Sequence, residues 1–149
     1  MLPPLACQSY SAMSDIQTIR HILQTCRTVA VVGLSPKRHR DSFAVAQYMQ
    51  SQGWRIIPVN PNADRILGEQ AYPSLVEAAK HERIDLVNCF RNSADIPPLI
   101  DQAIAIGAQA VWLQLDIEHA QAASKAHAAG LRVVQNRCLK IEHARDGKR

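Results

Sequence analysis

The stretch Thr28-Val29-Ala30-Val31-Val32-Gly33-Leu34-Ser35, followed by Pro36-Lys37-Arg38-His39-Arg40-Asp41-Ser42 and the apolar-rich run from Phe43 to Met49, decides the fold. A short β-branched run that ends in glycine, then a basic loop, then a helix-patterned segment reads as strand, loop and helix N-terminus. The first amides of a helix lack internal partners, and the helix dipole puts roughly half a positive charge at that end, so this unit suits an anion. Lys37, Arg38 and Arg40 add positive charge on the same side. The bland alternative is a buried strand turning into a helix through glycine, with solvated basic residues in between. No glycine follows Gly33 until Gly53, so the G-x-G-x-x-G fingerprint is missing and an ordinary NAD site is not favoured.

Outward from this unit the same rhythm continues. Upstream, Ser14-Asp15-Ile16-Gln17 is a capping box, and Ile16, Ile19, Leu23 and Cys26 recur at helical spacing to about Arg27. Downstream, the helix closes at Gly53, and Trp54 to Val59 forms a second strand. Pro58 cannot donate to a ladder, so one flank of that strand must be unpaired or irregular there. A long polar loop follows from Asn60 to Pro73, then a second capping box at Ser74 to Glu77, and a third strand over Leu86 to Phe90. Pro97 and Pro98 open a helix that stops at Gly107, Ala110 to Leu115 is a fourth strand, Asp116 caps an Ala-rich helix from Ile117 to Ala129, and Leu131 to Gln135 is a fifth strand. Alternating strands and helices predict an α/β fold with a parallel sheet. Ligand groups then come from four loops at the carboxyl ends of strands: Ser35 to Ser42, Asn60 to Asn62, Phe90 to Asn92, and Gln114 to Asp116.

Bulk properties agree with one domain. The chain has 149 residues, 47% hydrophobic and 20% charged, with a formal net charge of +4. That charge suits a small anion. Aromatic residues make up only 5% and basic residues form no long run except near the C-terminus, so nucleic-acid binding has little support. Cys7, Cys26, Cys89 and Cys138 show no C-x-x-C pairing, which indicates neither a zinc module nor a disulfide framework and points to a reduced, cytoplasmic setting. No apolar stretch approaches the roughly 20 residues of a membrane span. Residues 1–13 read as a disordered tail, with Met13 as an alternative start, and 146–149 as a basic C-terminal tail.

An ordered set of motifs carries a resemblance. It comprises Gly33-Leu34-Ser35 with Arg40 and Ser42, Pro58-Val59-Asn60-Pro61, Phe90-Arg91, Gly107-Ala108 with Trp112-Leu113-Gln114, and Asn136-Arg137-Cys138 with Glu142-His143. From Ser14 to Arg145 the chain resembles the small single-domain CoA-binding proteins, which are similar to the N-terminal CoA-binding domain of the succinyl-CoA synthetase α subunit. The resemblance implies a Rossmann-like three-layer fold, with a five-stranded parallel sheet and helices on both faces. It also implies a pocket for the 3′-phospho-ADP part of coenzyme A. Gly33 would then let the backbone approach the diphosphate, and Ser35 and Ser42 would donate to it with Arg40 close by. Asn60, Pro61 and Asn62 stand where the synthetase domain has a proline and a lysine; the lysine is unmatched, so the ribose phosphate falls to Arg40 or Lys37. Phe90 and Arg91 would flank the adenine. Ser42 reads equally as a plain helix N-cap, and Arg91 as a solvated loop charge.

The synthetases use a phosphohistidine on another domain, for which this chain has no room, so ligase activity of its own is not expected. The resemblance favours a CoA or acyl-CoA carrier, sensor or subunit. The rival is an enzyme on the same scaffold, either a nucleotide-dependent oxidoreductase or an acyl transferase using Cys138. Cys138, Glu142 and His143 form the other concentration of reactive groups, open to three readings: a partial metal set, a core thiol beside a salt-bridged edge, or a thiol that pairs with that of CoA. His21, His81, His119 and His127 carry no signal, and no nucleophile triad is visible.

Overall fold

The computed structural model describes residues 14–147; the expected tail at 1–13 lies outside them. In chain order the elements are α1 (Asp15–Thr25), β1 (Thr28–Val32), α2 (Asp41–Ser51), β2 (Arg55–Val59), β3 (Arg65–Ile66), β4 (Glu69–Gln70), α3 (Leu75–Ala79), β5 (Leu86–Cys89), α4 (Ile96–Ala105), β6 (Ala110–Leu113), α5 (Ala120–Ala128), β7 (Arg132–Val134) and α6 (Leu139–Glu142). A short 3-10 turn, Ser93–Asp95, leads into α4, and a wide helical turn, His143–Gly147, follows α6. Asp146 and Gly147 of the expected basic tail belong to that turn, and the last two residues lie outside the described ones.

Five parallel strands form the sheet in the order β2-β1-β5-β6-β7. Their near-continuous apolar runs are covered on both sides, as a parallel sheet requires. On one face Ala30, Val32, Ile57, Val87, Val111 and Val133 pack against α3, α4 and α5. On the other, Val29, Val31, Ile56, Trp112 and Val134 pack against α1, α2 and α6. This is the expected Rossmann-like three-layer α/β architecture. Between these layers, Asn88 in β5 is wholly buried and its side-chain amide has no hydrogen-bond partner among the described residues.

Local signals account for most boundaries. Ser14 and Gln17 form the complete capping box: Gln17 N–H donates to Ser14 Oγ at 3.1 Å, and Ser14 N–H to Gln17 Oε1 at 3.0 Å. At Ser74 only half of the second box forms, because Glu77 turns to Lys80 at 2.7 Å instead. Helix α2 ends in a Schellman motif, in which Gly53 N–H donates to Gln50 O and Trp54 N–H to Met49 O; this draws Trp54 into the cap and starts β2 one residue later than expected. Strand β2 lies at the sheet edge and its Arg55 N–H donates inward to Arg27 O, so Pro58 faces outward, where its missing N–H breaks no ladder bond. Its carbonyl there accepts from Tyr72 N–H at 3.0 Å.

Two expectations need correction. The segment from Asn60 to Pro73 contains the hairpin β3–β4, turning on Leu67 and Gly68, both at positive φ, which matches the twist of a two-residue hairpin. Asp116 does not cap the Ala-rich helix. Its N–H donates to Asn136 Oδ1 at 2.7 Å and its own φ is +67°, so the chain makes a left-handed turn there. Helix α5 begins at Ala120 and is capped by His119, whose Nδ1 accepts from Ala122 N–H at 3.1 Å.

Candidate functional site

The strand order reverses beside β1: the chain passes outward to β2, then returns to place β5 on the other side of β1. In such sheets the crevice at the carboxyl ends of the two diverging strands receives ligands. Here those ends carry Gly33 to Ser42 from β1 and Phe90 to Ser93 from β5.

Gly33 is required by the sheet itself. Its φ is +87°, and a Cβ there would stand 2.7 Å from the Phe90 carbonyl oxygen. Its N–H donates to Val59 O at 3.1 Å, and Phe90 N–H donates to Val32 O at 2.9 Å. The loop then folds over itself: Ser35 N–H donates to Ser42 Oγ at 3.0 Å, and Lys37 N–H to Ser35 Oγ at 3.1 Å. Ser42 is buried and lies inside α2, so it is not the N-cap; that position is Arg40, whose side chain makes no capping bond. The amides of Asp41 and Ser42 therefore have no acceptor among the described residues. Lys37, Arg38 and Arg40 are exposed around them and form no ion pair among the described residues.

Gly33, Ser35, Lys37, Arg40, Ser42 and Phe90 thus share one hollow of about 690 Å³, with His39 and Asp41. A second, of about 600 Å³, adjoins it across Asp41 and Phe90 and is walled by Ala44, Val45, Arg91, Asn92, Gln114, Ile117, Cys138 and Ile141. A third, of about 280 Å³, lies over the ends of β1 and β2, lined by Val32, Val59, Pro61, Arg91, Pro98 and Leu99. Arg91 stands between the second and third, in a loose 3.7 Å contact with Asp95 in which both side chains are half exposed.

Asn60 and Asn62 are placed differently. Asn60 Nδ2 donates to Leu34 O at 2.9 Å, and its Oδ1 accepts from Asn62 N–H at 2.7 Å. One N–H of the Asn60 amide pins the Gly33–Leu34 turn while its oxygen closes its own loop on Asn62, and Pro61 lines the third hollow.

Gln114 opens the fourth of the expected ligand loops, and its surroundings give it a defined orientation. It is 5% exposed, and its Oε1 accepts from Leu139 N–H at 3.0 Å. That backbone donor fixes the orientation of the amide, so Nε2 is left as a donor with no acceptor among the described residues. A lone polar residue at the end of the apolar run Ala110-Val111-Trp112-Leu113 is the signal that marks it in the chain.

The C-terminal cluster divides. Cys138 is partly buried and lines the second hollow. His143 is drawn into the core, its Nδ1 3.0 Å from Tyr48 Oη and its ring edge-on to Tyr48 and Trp54. Buried Glu142 lies 3.7 Å from Arg137 and 3.6 Å from Arg145. Among the described residues no group of three His, Cys, Asp or Glu is placed to hold a metal, and none of their helices is long and apolar enough to cross a membrane.

Comparison with known proteins decides the family. Residues 27–144 match the CoA binding domain family. The chain belongs to that family. It is 37% identical over 126 residues to the uncharacterized protein YneT of Bacillus subtilis, covering 85% of this chain and 92% of that one. A hypothetical protein from Pyrococcus horikoshii has the same structure at a TM-score of 0.82, with 37% identity and 89% of this chain and 91% of that one covered. The dinucleotide-forming acetyl-coenzyme A synthetase 1 of Ca. Korarchaeum cryptofilum shares the fold over 72% of this chain and 25% of its own length, with a TM-score of 0.63 and 21% identity. The family match thus spans nearly the whole of the described chain, while in that synthetase the shared fold is one part of a much longer chain.

Proposed function

We propose that this CoA-binding domain protein binds coenzyme A or an acyl-CoA through the 3′-phospho-ADP part, in a reducing, cytoplasmic setting, as a carrier, sensor or subunit without ligase activity of its own. The observation that carries this reading is the loop between β1 and α2. There, uncompensated cations and free helix-terminal amides converge on one hollow at the point where the strand order reverses. A diphosphate placed there gains charge-assisted hydrogen bonds that the protein leaves unmade. Lys37 and Arg40, whose side chains reach out from that loop, read the ribose phosphate. The apolar hollow beside Pro61, closed by Arg91, suits the adenine, whose face the guanidinium covers.

Calorimetric titration with CoA, dephospho-CoA and NAD tests this. CoA binds, dephospho-CoA binds more weakly for loss of the 3′-phosphate, and NAD binds weakest. Equal affinity for CoA and dephospho-CoA removes the phosphate role of Lys37 and Arg40, and no binding of any of the three removes the reading altogether.

A further inference from the structure

We infer that the hollow of about 600 Å³ beside the phosphate loop seats the thiol-bearing pantetheine arm, and that Cys138 in its wall exchanges with the disulfide form of CoA, capturing the ligand covalently. This rests on the CoA reading above. Three observations independent of the thiol point to a ligand in this hollow. Gln114, 5% exposed, presents a donor that finds no acceptor among the described residues, as a pantetheine amide carbonyl requires. The hollow also meets the phosphate hollow at Asp41 and Phe90, so a chain leaving a bound diphosphate enters it directly. Leu115 and Ile141 in its wall are 52% and 49% exposed, apolar side chains that the methylene segments of such an arm would cover.

The three described thiols differ in the way this chemistry needs. Burial pushes Cys26 up to about 11 and Cys89 up to about 12, which leaves both protonated and unreactive. Cys138 is the partly exposed one. In the exchange Cys138 loses its proton and its thiolate attacks one sulfur of CoA disulfide. The Cys138–CoA S–S bond forms as the original S–S bond breaks, and the released CoA thiolate takes up the proton. One disulfide replaces another, so the CoA disulfide is itself the oxidant.

The full-length protein is incubated with CoA disulfide or, at equal concentration, glutathione disulfide, and followed by intact mass and peptide mapping, which separates Cys138 from Cys7. A CoA adduct on Cys138 is expected at least about tenfold faster than the glutathione adduct, since prior binding raises the effective concentration of the attacked disulfide. Cys138→Ser abolishes the adduct. Gln114→Glu keeps the acceptor for Leu139 but loses the donor, and slows CoA adduct formation severalfold while leaving the glutathione rate unchanged. If reduced CoA titrates normally by calorimetry but Cys138 stays free, the capture is overturned and the binding reading survives. Equal rates for the two disulfides also overturn it. Failure of CoA to bind at all brings down both.

Discussion

Asp85, at the amino end of β5, and Arg40, at the carboxyl side of β1, are both charged loop residues on the same sheet, and they are treated in opposite ways. The Asp85 carboxylate accepts from the amides of Arg27 at 3.0 Å and Thr28 at 3.1 Å, stitching α1, β1 and β5 together. Nearby, Arg55 is held by Glu69 at 2.7 Å and Glu82 at 2.6 Å. Around Arg40, by contrast, and among the described residues, Lys37 and Arg38 also go without a carboxylate, the first amides of α2 have no acceptor, and Gln114 Nε2 has none. At the amino edge polar groups are spent on the fold. At the carboxyl edge several charges and donors have no protein partner among the described residues, the difference expected between a structural edge and a binding one on the proposed reading.

Four experiments break or sharpen this contrast. Gly33→Ala strikes both roles at once: it forces a side chain into positive φ and against the Phe90 carbonyl. It should cost about 3 kcal/mol of stability and abolish CoA binding, seen by denaturant unfolding and calorimetry. The double variant Lys37→Ala with Arg40→Ala should weaken CoA about 100-fold, roughly 1.4 kcal/mol for each lost phosphate contact, with the melting temperature unchanged. Asp85→Ala should do the reverse, lowering stability by about 2 kcal/mol with CoA affinity unaltered. A fall in affinity with Asp85→Ala, or in stability with the double variant, would erase the distinction between the two edges.

The smallest effect concerns the buried thiols. Both are raised from the ordinary 9.0, Cys26 to about 11 and Cys89 to about 12, by desolvation of the thiolate. The folded state therefore holds these protons more tightly than the unfolded one. Their contribution is present below pH 9 and is lost as pH rises from 9 toward 11. Urea unfolding at pH 8 and pH 10 should show the lower stability at pH 10, and Cys89→Ala should reduce the difference, leaving the part that Cys26 carries.

How much of this was legible in the chain follows from how far apart the partners lie. Ser14 and Gln17 find each other three residues on, and Gly33 marks a backbone state that few other residues adopt, so both are plain in the sequence. Pro58 announced an edge, and β2 is an edge. Asn60 is placed by its residue type among the ligand loops, and what the chain does not tell is that its amide also bridges Leu34 and Asn62. Ser42 reads as a cap or a ligand donor; the cap is Arg40, and the Ser42 hydroxyl, which accepts from Ser35 N–H, keeps its own proton to donate. The start of α5 was misplaced because Asn136, on another strand's exit, holds Asp116 in a left-handed turn. His143 stands with Cys138 and Glu142 in the chain, and its ring is turned to Tyr48 in the fold.

The sequence by itself determined the succession of strands and helices, the parallel sheet and the basic loop after β1, because each depends on periodicity, caps and glycines within a few residues of one another. Only the tertiary structure decided which polar groups are satisfied by the protein and which are left for a ligand. That property belongs to pairs such as Gln114 with Leu139, or Tyr48 with His143, whose members meet only when the sheet assembles. A polar residue in a sequence carries its donors and acceptors openly, but whether they are spent is fixed by neighbours far along the chain.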